Sequence, residues 1–314
     1  MSDIQKCAII GCGFVGATTA FTLVQNGVFS EIVLIDYNKE KAVGESMDLN
    51  DGLAFTKPVK IYAGDYDNIK DCGVVIIAAG ANQKPNETRI DLVNKNVEIF
   101  KSIIPKIVEK NKDCILLILS NPVDILTYTA LKLSGFDKSK VIGSGTVLDT
   151  ARLKHLLGQY LSVDSRHIHA FIIGEHGDSE LAVWSSANVS GISIEDFCEL
   201  RGKDGSKETF NNFYVKVRDS AYKIINYKGA TYYAIAMAAL RICECIVRNE
   251  DSVLTVSSLI DGHYDIKDVC LGIPAIVGRS GIERVLDIPL SKEEKENLIS
   301  SANTLKDVIK STNI

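Results

Sequence analysis

Lys6-Cys7-Ala8-Ile9-Ile10-Gly11-Cys12-Gly13-Phe14-Val15-Gly16 runs a short apolar segment into three glycines spaced Gly-x-Gly-x-x-Gly, and a helical pattern with Ala17, Ala20, Phe21 and Val24 follows. Strand, tight turn and helix in that order are the setting in which such glycines receive a dinucleotide; without it the same letters mark only a turn. Gly11 permits the turn, Gly13 leaves out the Cβ that would block a pyrophosphate, and Gly16 lets the helix close onto the strand. The first N–H groups of the helix are then free to face phosphate. Twenty residues past Gly16, the run Ile32-Val33-Leu34-Ile35 ends in Asp36. A carboxylate there accepts from both adenine-ribose hydroxyls and repels a 2′-phosphate, so NAD is expected rather than NADP.

Further along, Lys60-Ile61-Tyr62, Val74-Val75-Ile76-Ile77-Ala78, Ile115-Leu116-Leu117-Ile118-Leu119 and Val141-Ile142 repeat the pattern of short apolar runs. They do not alternate with polar residues, which implies strands covered on both faces and hence a parallel sheet. Between two of them Ile90, Val93, Val97, Phe100 and Ile104 recur at helical spacing, and Pro105 is expected to bend or break that helix. Beyond Gly143 the chain is less regular. Helices are expected near 149–159, 206–227 and 232–248, and alternating segments near 253–259 and 268–277 suggest antiparallel strands. A last helix follows Pro289, with Ser291 and Glu294 as a capping box and Leu298, Ala302, Leu305, Val308 and Ile309 on one face. The expected architecture is α/β: a Rossmann-type doubly wound parallel sheet over residues 1–143, then an α+β catalytic domain over 144–314, with no long linker.

The chain has 314 residues and a net charge of −5, enough for two full cores and without the basic surplus that nucleic acid requires. No Lys/Arg cluster adjoins an amphipathic helix and no apolar run approaches a membrane span, so no membrane partner is expected. The start of the chain leads straight into a strand without a cleavable leader, which points to the cytoplasm. Cys7, Cys12, Cys72, Cys114, Cys198, Cys243, Cys245 and Cys270 include no Cys-x-x-Cys pair and mostly lie among apolar neighbours. They are expected as packed free thiols, with no bound metal.

The carboxyl ends of the expected strands collect Gly80-Ala81, Leu119-Ser120-Asn121-Pro122 and Gly143-Ser144, and ligands of open parallel sheets bind along that edge. Gly80-Ala81 leads into Asn82-Gln83-Lys84-Pro85-Asn86-Glu87-Thr88-Arg89, a polar loop that can close over a substrate and bring one guanidinium to its carbonyl oxygen. The most telling grouping is Asp149-Thr150-Ala151-Arg152 with His176 in Gly174-Glu175-His176-Gly177-Asp178. A carboxylate orients an imidazole, the imidazole moves a proton near neutral pH, and a guanidinium grips a carboxylate through two hydrogen bonds. A lone histidine in an apolar stretch is more often a packed residue than a catalyst. Joined by the aspartate and the arginine, it suits redox chemistry on a 2-hydroxy or 2-keto acid.

Gly11-x-Gly13-x-x-Gly16, Ala81-Asn82-Gln83-Lys84-Pro85, Glu87-Thr88-Arg89, Ser120-Asn121-Pro122-Val123-Asp124, Leu148-Asp149-Thr150-Ala151-Arg152, Gly174-Glu175-His176-Gly177-Asp178 and Lys228-Gly229-Ala230-Thr231 span nearly the whole chain. In these motifs and their order the chain resembles the L-lactate dehydrogenase family, and some of them are shared with the malate dehydrogenases. The resemblance implies NAD-dependent interconversion of pyruvate and L-lactate, the last step of fermentative glycolysis, in a homotetramer. It implies that His176 gives a proton to the keto oxygen while Asp149 accepts from the other ring nitrogen. Arg152 would clamp the substrate carboxylate, Arg89 would polarise the carbonyl after loop closure, and Asn121 would bond the carbonyl side. Beside the glycines, cofactor contacts are implied at Val15, Asp36, Lys41, Tyr66, Gly80, Ala81, Ser102, Leu119, Ser120, Asn121 and Ser144, and a further substrate contact at Asp124. Thr231 and Ile235, four apart on an expected helix, either shape a methyl pocket or pack in the core.

Gln83 separates the candidate acids. Malate dehydrogenases resembling this chain carry Arg there for the second carboxylate of oxaloacetate, whereas Gln suits a substrate ending in methyl. A buried carboxylate without a cation is costly, so pyruvate is expected, with the adjacent Lys84 as a flexible ammonium that can partly reach. Malate or another 2-hydroxy acid is the alternative. Asn86 stands where many members have Gly before Glu-Thr-Arg, which narrows the backbone states open to the loop. Lys154 and His169 match the Arg and His with which bacterial members bind the activator fructose 1,6-bisphosphate. Lys keeps the charge and loses the planar fork, so weaker binding or none is implied. A catalytically idle NAD-binding protein would lack one of Arg89, Asp149, Arg152 or His176, and all four are present.

Overall fold

The structure is a computed structural model that describes residues 2–81 and 89–312, Arg89 through its main chain alone. Its first half alternates strand and helix: β1 (Asp3–Ile10), α1 (Phe14–Asn26), β2 (Glu31–Ile35), α2 (Lys39–Asp51), β3 (Lys60–Ala63), β4 (Cys72–Ile77), α3 (Arg89–Lys110), β5 (Ile115–Ile118), α4 (Val123–Ser134) and β6 (Val141–Gly143). The second half runs α5 (Val147–Leu161), β7 (Ile168–Ile173), β8 (Leu181–Val189), β9 (Ile192–Ser193), α6 (Ile194–Leu200), α7 (Lys207–Arg218), α8 (Ser220–Lys228), α9 (Tyr233–Arg248), β10 (Ser252–Asp261), β11 (Lys267–Gly278), β12 (Gly281–Val285) and α10 (Lys292–Ser311).

Nine strands make one sheet in the order β12-β11-β10-β6-β5-β4-β1-β2-β3. From β3 to β6 all pairs are parallel, as the unbroken apolar runs require, and the order reverses between β1 and β4. Ala8 and Ile10 face a core shared with α3, α4 and α10, while Cys7 and Ile9 face one shared with α1 and α9. Both faces are therefore dry over residues 7–10, and those four positions of the strand are all apolar. All eight cysteines are buried free thiols.

The registers fix what lies at the carboxyl edge. Ile10 pairs with Ile35 and with Ile77, Ile77 with Ile118, and Ile118 with Gly143. Gly11, Asp36, Ala78, Leu119 and Ser144 each follow one of these residues, so a single row of strand ends carries the sequence motifs. Such an edge, at the point where strand order reverses, is where open α/β sheets bind ligands.

Two expectations about helices are corrected. Pro105 does not break α3, which continues to Lys110. Its missing N–H costs one turn-closing bond, but Val97, Phe100, Ile103, Ile104 and Ile107 are buried on both sides of it, and each such side chain contributes about 1.5–3 kcal/mol. The expected single helix over 206–227 is divided at Asp219 into α7 and α8. In the second half β10 and β11 pair antiparallel as expected and extend the sheet past β6. A separate antiparallel sheet, β7-β8-β9, packs with α5 and α7 around Leu153, Leu157, Ile172 and Phe213.

The last helix begins with the expected capping box between Ser291 and Glu294. Glu294 also accepts from the main chain and hydroxyl of Ser185 in β8, so one buried carboxylate joins the helix start to the small sheet. Glu294→Ala leaves those donors without a partner, and the expected loss is about 1–3 kcal/mol, read as a lower melting temperature. Unchanged melting would contradict this anchoring role.

Candidate active site

The glycine turn has the shape its sequence demands. Gly11 has φ +97°, and a Cβ there would lie 2.5 Å from the main-chain nitrogen of Ala79. A Cβ on Gly16 would lie 1.8 Å from the Gly11 carbonyl oxygen, so α1 can approach the strand only through glycine. At Gly13 a Cβ would meet nothing within 4 Å, which leaves the space before α1 open for a pyrophosphate. The first turn of α1 carries no acidic residue and no side-chain cap, so its N–H groups and helix dipole favour an anion. Asp36 stands half-buried at the end of β2 and accepts from Cys12 N–H at 2.7 Å and Asn38 N–H at 2.9 Å. It is thereby fixed beside the turn with acceptor capacity left for hydroxyls. These residues fit a dinucleotide without a 2′-phosphate.

Val15 is half-buried against the core, and Lys41 is exposed on α2. Along the edge Leu119, Ser120 and Ser144 are buried. Ser144 N–H donates to the Ile118 carbonyl at 2.9 Å, and the Ser120 hydroxyl donates to the Ala79 carbonyl at 2.7 Å. Asn96, buried on α3 and not singled out in the sequence, joins two of the motifs. Its Oδ1 accepts from Ala81 N–H at 2.7 Å and its Nδ2 donates to the Asn121 carbonyl at 2.8 Å, with Gly80 beside it. Tyr66 and Ser102 lie at α3, Tyr66 under Lys106 and Ser102 with its hydroxyl turned to the Ile99 carbonyl. Among the described residues no hydrogen bond or ion pair joins either to the glycine turn.

Asp149 lies in the first turn of α5 with 1% of its surface exposed. Its Oδ1 meets Arg152 Nη1 at 2.7 Å, one helical turn on, and its Oδ2 meets His176 Nδ1 at 2.6 Å. Burial opposes the charge of Asp149, but His176 and Arg152 more than offset this and hold its carboxyl below the ordinary range. Burial likewise works against a charged His176; the facing Asp149 overcomes it, with Asp124 adding to the pull, and raises the imidazole to about 9. The ring is thus a charged donor at neutral pH. Its side chain is 25% exposed, and with Nδ1 engaged by Asp149, Nε2 is left for a substrate oxygen.

The turn that carries His176 is tied to three distant elements. Asp124 at the start of α4 accepts His176 N–H at 2.7 Å and the Ser257 hydroxyl of β10 at 2.6 Å. Gly174 and Gly272 of β11 exchange both main-chain bonds at 2.8 Å, and the Ser301 hydroxyl of α10 accepts Glu175 N–H. Asp124 is 2% exposed, and each of its oxygens accepts one of these bonds, so it supports the main chain of His176. Burial pushes its carboxyl up to about 6 against the pull of those two bonds.

Thr231 is corrected as a helical residue: α9 starts at Tyr233, after Gly229 with φ +85° and an irregular Tyr232. Thr231 and Ile235 are both half-buried, and the shared helical face expected of them is absent. Asn82, Gln83, Lys84, Pro85, Asn86, Glu87 and Thr88 lie outside the described residues, as does the Arg89 side chain. Asp149, His176 and Glu180 bring ligand-type atoms within 4.8 Å of one another. Asp149 has already given its oxygens to two cations, which opposes a metal ion there. Lys154 is half-buried on α5 and its ammonium is pushed down by burial, while His169 is exposed on β7. The Thr150 hydroxyl, one turn before Lys154, bonds Ile172 of β7, which ties the start of α5 to that strand.

Family models for the lactate/malate dehydrogenase NAD-binding domain and for the lactate/malate dehydrogenase α/β C-terminal domain match residues 5–143 and 146–313. The L-lactate dehydrogenase of Acetivibrio thermocellus is 56% identical over 311 residues, 99% of this chain and 98% of the relative. L-lactate dehydrogenase 1 of Clostridium acetobutylicum is 53% identical, covering 99% of each. Among solved structures, a lactate dehydrogenase enzyme from a Medee basin deep-sea metagenome library superposes with a TM-score of 0.94 at 47% identity, over 97% of this chain and 98% of that one.

Asp149→Asn removes the negative partner of the imidazole. The expected result is a fall in the His176 pKa from about 9 toward or below its ordinary 6.5, followed by NMR of the labelled ring. A pKa still near 9 would contradict control by Asp149.

Proposed function

The chain belongs to the lactate/malate dehydrogenase family, and we infer that it is an NAD-dependent L-lactate dehydrogenase, reducing pyruvate to L-lactate and running in reverse on lactate. The observation that carries this reading is the single buried carboxylate, Asp149, shared by a proton donor and a guanidinium at the edge where the glycine turn opens. NADH, when bound, supplies the hydride. The remaining work falls to side chains of this protein. Arg152 holds the substrate carboxylate in a two-pronged pair, which sets the keto carbon at a fixed distance from His176. His176 gives the proton to the keto oxygen as negative charge develops there, and Asp149 stabilises the ring in both states.

Arg89 is proposed to polarise the carbonyl, with Asn121, exposed at the edge, on the same oxygen and Thr231 and Ile235 around the methyl group. The open space at Gly13 and the fixed Asp36 support the pyrophosphate and ribose contacts. Val15, Lys41, Tyr66, Gly80, Ala81, Ser102, Leu119, Ser120 and Ser144 are proposed as the remaining cofactor contacts. Residues 1–143 are read as the NAD-binding unit and 144–314 as the catalytic one. Phe21, Val43, Met47, Phe55, Tyr233 and Met237 are exposed on and beside α1, α2 and α9. So much apolar surface on one side supports a homo-oligomer, for which a tetramer is proposed. Eight reduced, buried thiols suit a cytoplasmic setting.

The test is NADH oxidation with pyruvate and oxaloacetate side by side. Pyruvate is expected as the preferred acid, and His176→Ala should lower kcat by about 10²–10⁴-fold. Gln83→Arg should raise the oxaloacetate-to-pyruvate ratio of kcat/KM by about 10²-fold or more, since it supplies a cation for the second carboxylate. No change in that ratio would remove Gln83 from the pocket.

Allosteric control by fructose 1,6-bisphosphate is proposed at Lys154 and His169. A half-buried ammonium whose pKa is lowered by burial gains from an opposite charge beside it, which supports an anion site. The bisphosphate should lower half-saturation by pyruvate in the unaltered protein and have no effect in Lys154→Gln. Equal half-saturation with and without it would rule the site out.

A further inference from the structure

Glu180 closes the turn that carries His176 and immediately precedes β8. The residue is 4% exposed, and among the described residues its Oε1 has no hydrogen-bond partner. A buried carboxylate oxygen in that position is unusual, because such atoms nearly always find a donor. The main chain on either side is fixed. Glu180 N–H donates to the Gly177 carbonyl at 3.2 Å, and its own carbonyl accepts from the Tyr214 hydroxyl of α7 at 2.7 Å. A carboxyl oxygen of Glu180, a ring nitrogen of His176 and an oxygen of Asp149 lie within 4.8 Å of one another.

The charged groups facing Glu180 are Asp149 and Arg152 from α5, His176 from its own turn and Arg218 from α7. Each of the three cations already holds another carboxylate: Arg152 and His176 hold Asp149, and Arg218 holds Asp219. An ionised Glu180 would therefore face Asp149, a like charge, in a buried place where, among the described residues, each facing cation is already paired.

We propose that Glu180 is a positioning residue that stays a neutral carboxylic acid at physiological pH, so that the Asp149–His176–Arg152 group keeps the surplus positive charge that receives a carboxylate substrate. The proposal rests on the reading of the site as a 2-keto acid reductase. Arg152 and His176 bring two positive charges and Asp149 one negative, which leaves one positive charge when Glu180 is neutral and none when it is ionised. Burial and Asp149 push the Glu180 carboxyl well above the carboxylate range, and His176, Arg152 and Arg218 pull it back only in part. Two protons, one from His176 and one from Glu180, then leave the group as the solution becomes alkaline, and each loss weakens the hold on substrate.

The experiment follows kcat/KM for pyruvate with saturating NADH from neutral to strongly alkaline pH, in the unaltered protein and in Glu180→Gln. The logarithm of kcat/KM should fall with a limiting slope of about −2 in the unaltered protein and about −1 in the variant, so the ratio between them grows with pH. Equal slopes, or a neutral-pH KM about tenfold lower in the variant, overturn the proposal, because the second result means that an ionised Glu180 was present there. An independent reading comes from infrared spectra of protein carrying ¹³C at its glutamate carboxyls. A neutral carboxylic-acid C=O band at neutral pH, missing from Glu180→Gln or from Glu180→Ser, is expected, and its absence from the unaltered protein overturns the proposal. Failure of the unaltered protein to oxidise NADH with any 2-keto acid would instead overturn the functional reading, and the infrared result would still decide the state of Glu180.

Discussion

A single carboxylate, that of Asp149, has to be buried and charged for the site to exist. Alone, its desolvation would neutralise it, and either cation left beside it without the other would change the charge of the pocket. With Arg152 on one oxygen and His176 on the other, all three stay ionised in a space nearly closed to water. The first of these pairs is local, three residues apart on α5, where the helix start also favours an acid. The second spans twenty-seven residues and requires the fold. Formation of the small sheet and the turn after β7 is thus coupled to the pKa of the proton donor.

The support for that turn comes from residues far before and far after it in the chain. Asp124 and Ser257 belong to α4 and β10, Gly272 to β11 and Ser301 to α10. None of these touches the reacting atoms. Each satisfies a main-chain or carboxylate group that would otherwise be buried without a partner, so the histidine is placed by a set of bonds that cannot be broken singly without cost. Asp124, buried and accepting from both the His176 main chain and the Ser257 hydroxyl, is such a support.

What the sequence made legible and what it hid follow from how far apart the deciding contacts lie. The six parallel strands were visible because Ile9 and Ile10 point to opposite faces and both faces are covered, so the pattern needs no partner to be read. Gly16 is legible because its constraint, the Gly11 carbonyl, lies within six residues, whereas the close approach that demands glycine at position 11 comes from Ala78 and Ala79. Pro105 does not end α3 because the local rule is outweighed by apolar neighbours whose burial is set by the sheet beneath. β8 escaped because Leu181-Ala182-Val183-Trp184-Ser185-Ser186-Ala187-Asn188-Val189 is covered unevenly and shows no period of two. The spacing of four between Thr231 and Ile235 suggests a shared helical face, but α9 starts only at Tyr233, so the spacing carries no such meaning there. Asn96 could have been found: it is a polar residue beside Val93 and Val97 on the buried stripe of α3, and a polar residue there needs a partner. Glu180 carried no such signal, since the elements that bury it arrive from α5 and α7.

One consequence concerns how such a site can close. In many two-domain proteins the halves swing about a flexible connection. Here β6, the last parallel strand, is paired with β10 through Gly143 and Ser257, and Thr146 N–H reaches the Thr255 carbonyl at 3.0 Å. A Cβ on Gly145 would lie 2.3 Å from Ser257 N, so the two strands meet as closely as the backbone allows. Rotation of residues 144–314 against the rest would tear the sheet beside the residues that hold His176. Exclusion of water must therefore be a local matter, carried by chain that is not part of the sheet, while the donor, the clamp and the glycine turn stay in one rigid frame. That frame explains why the proton donor can be set with respect to the cofactor edge by strands from both halves: the sheet is continuous across the place where the two family matches divide.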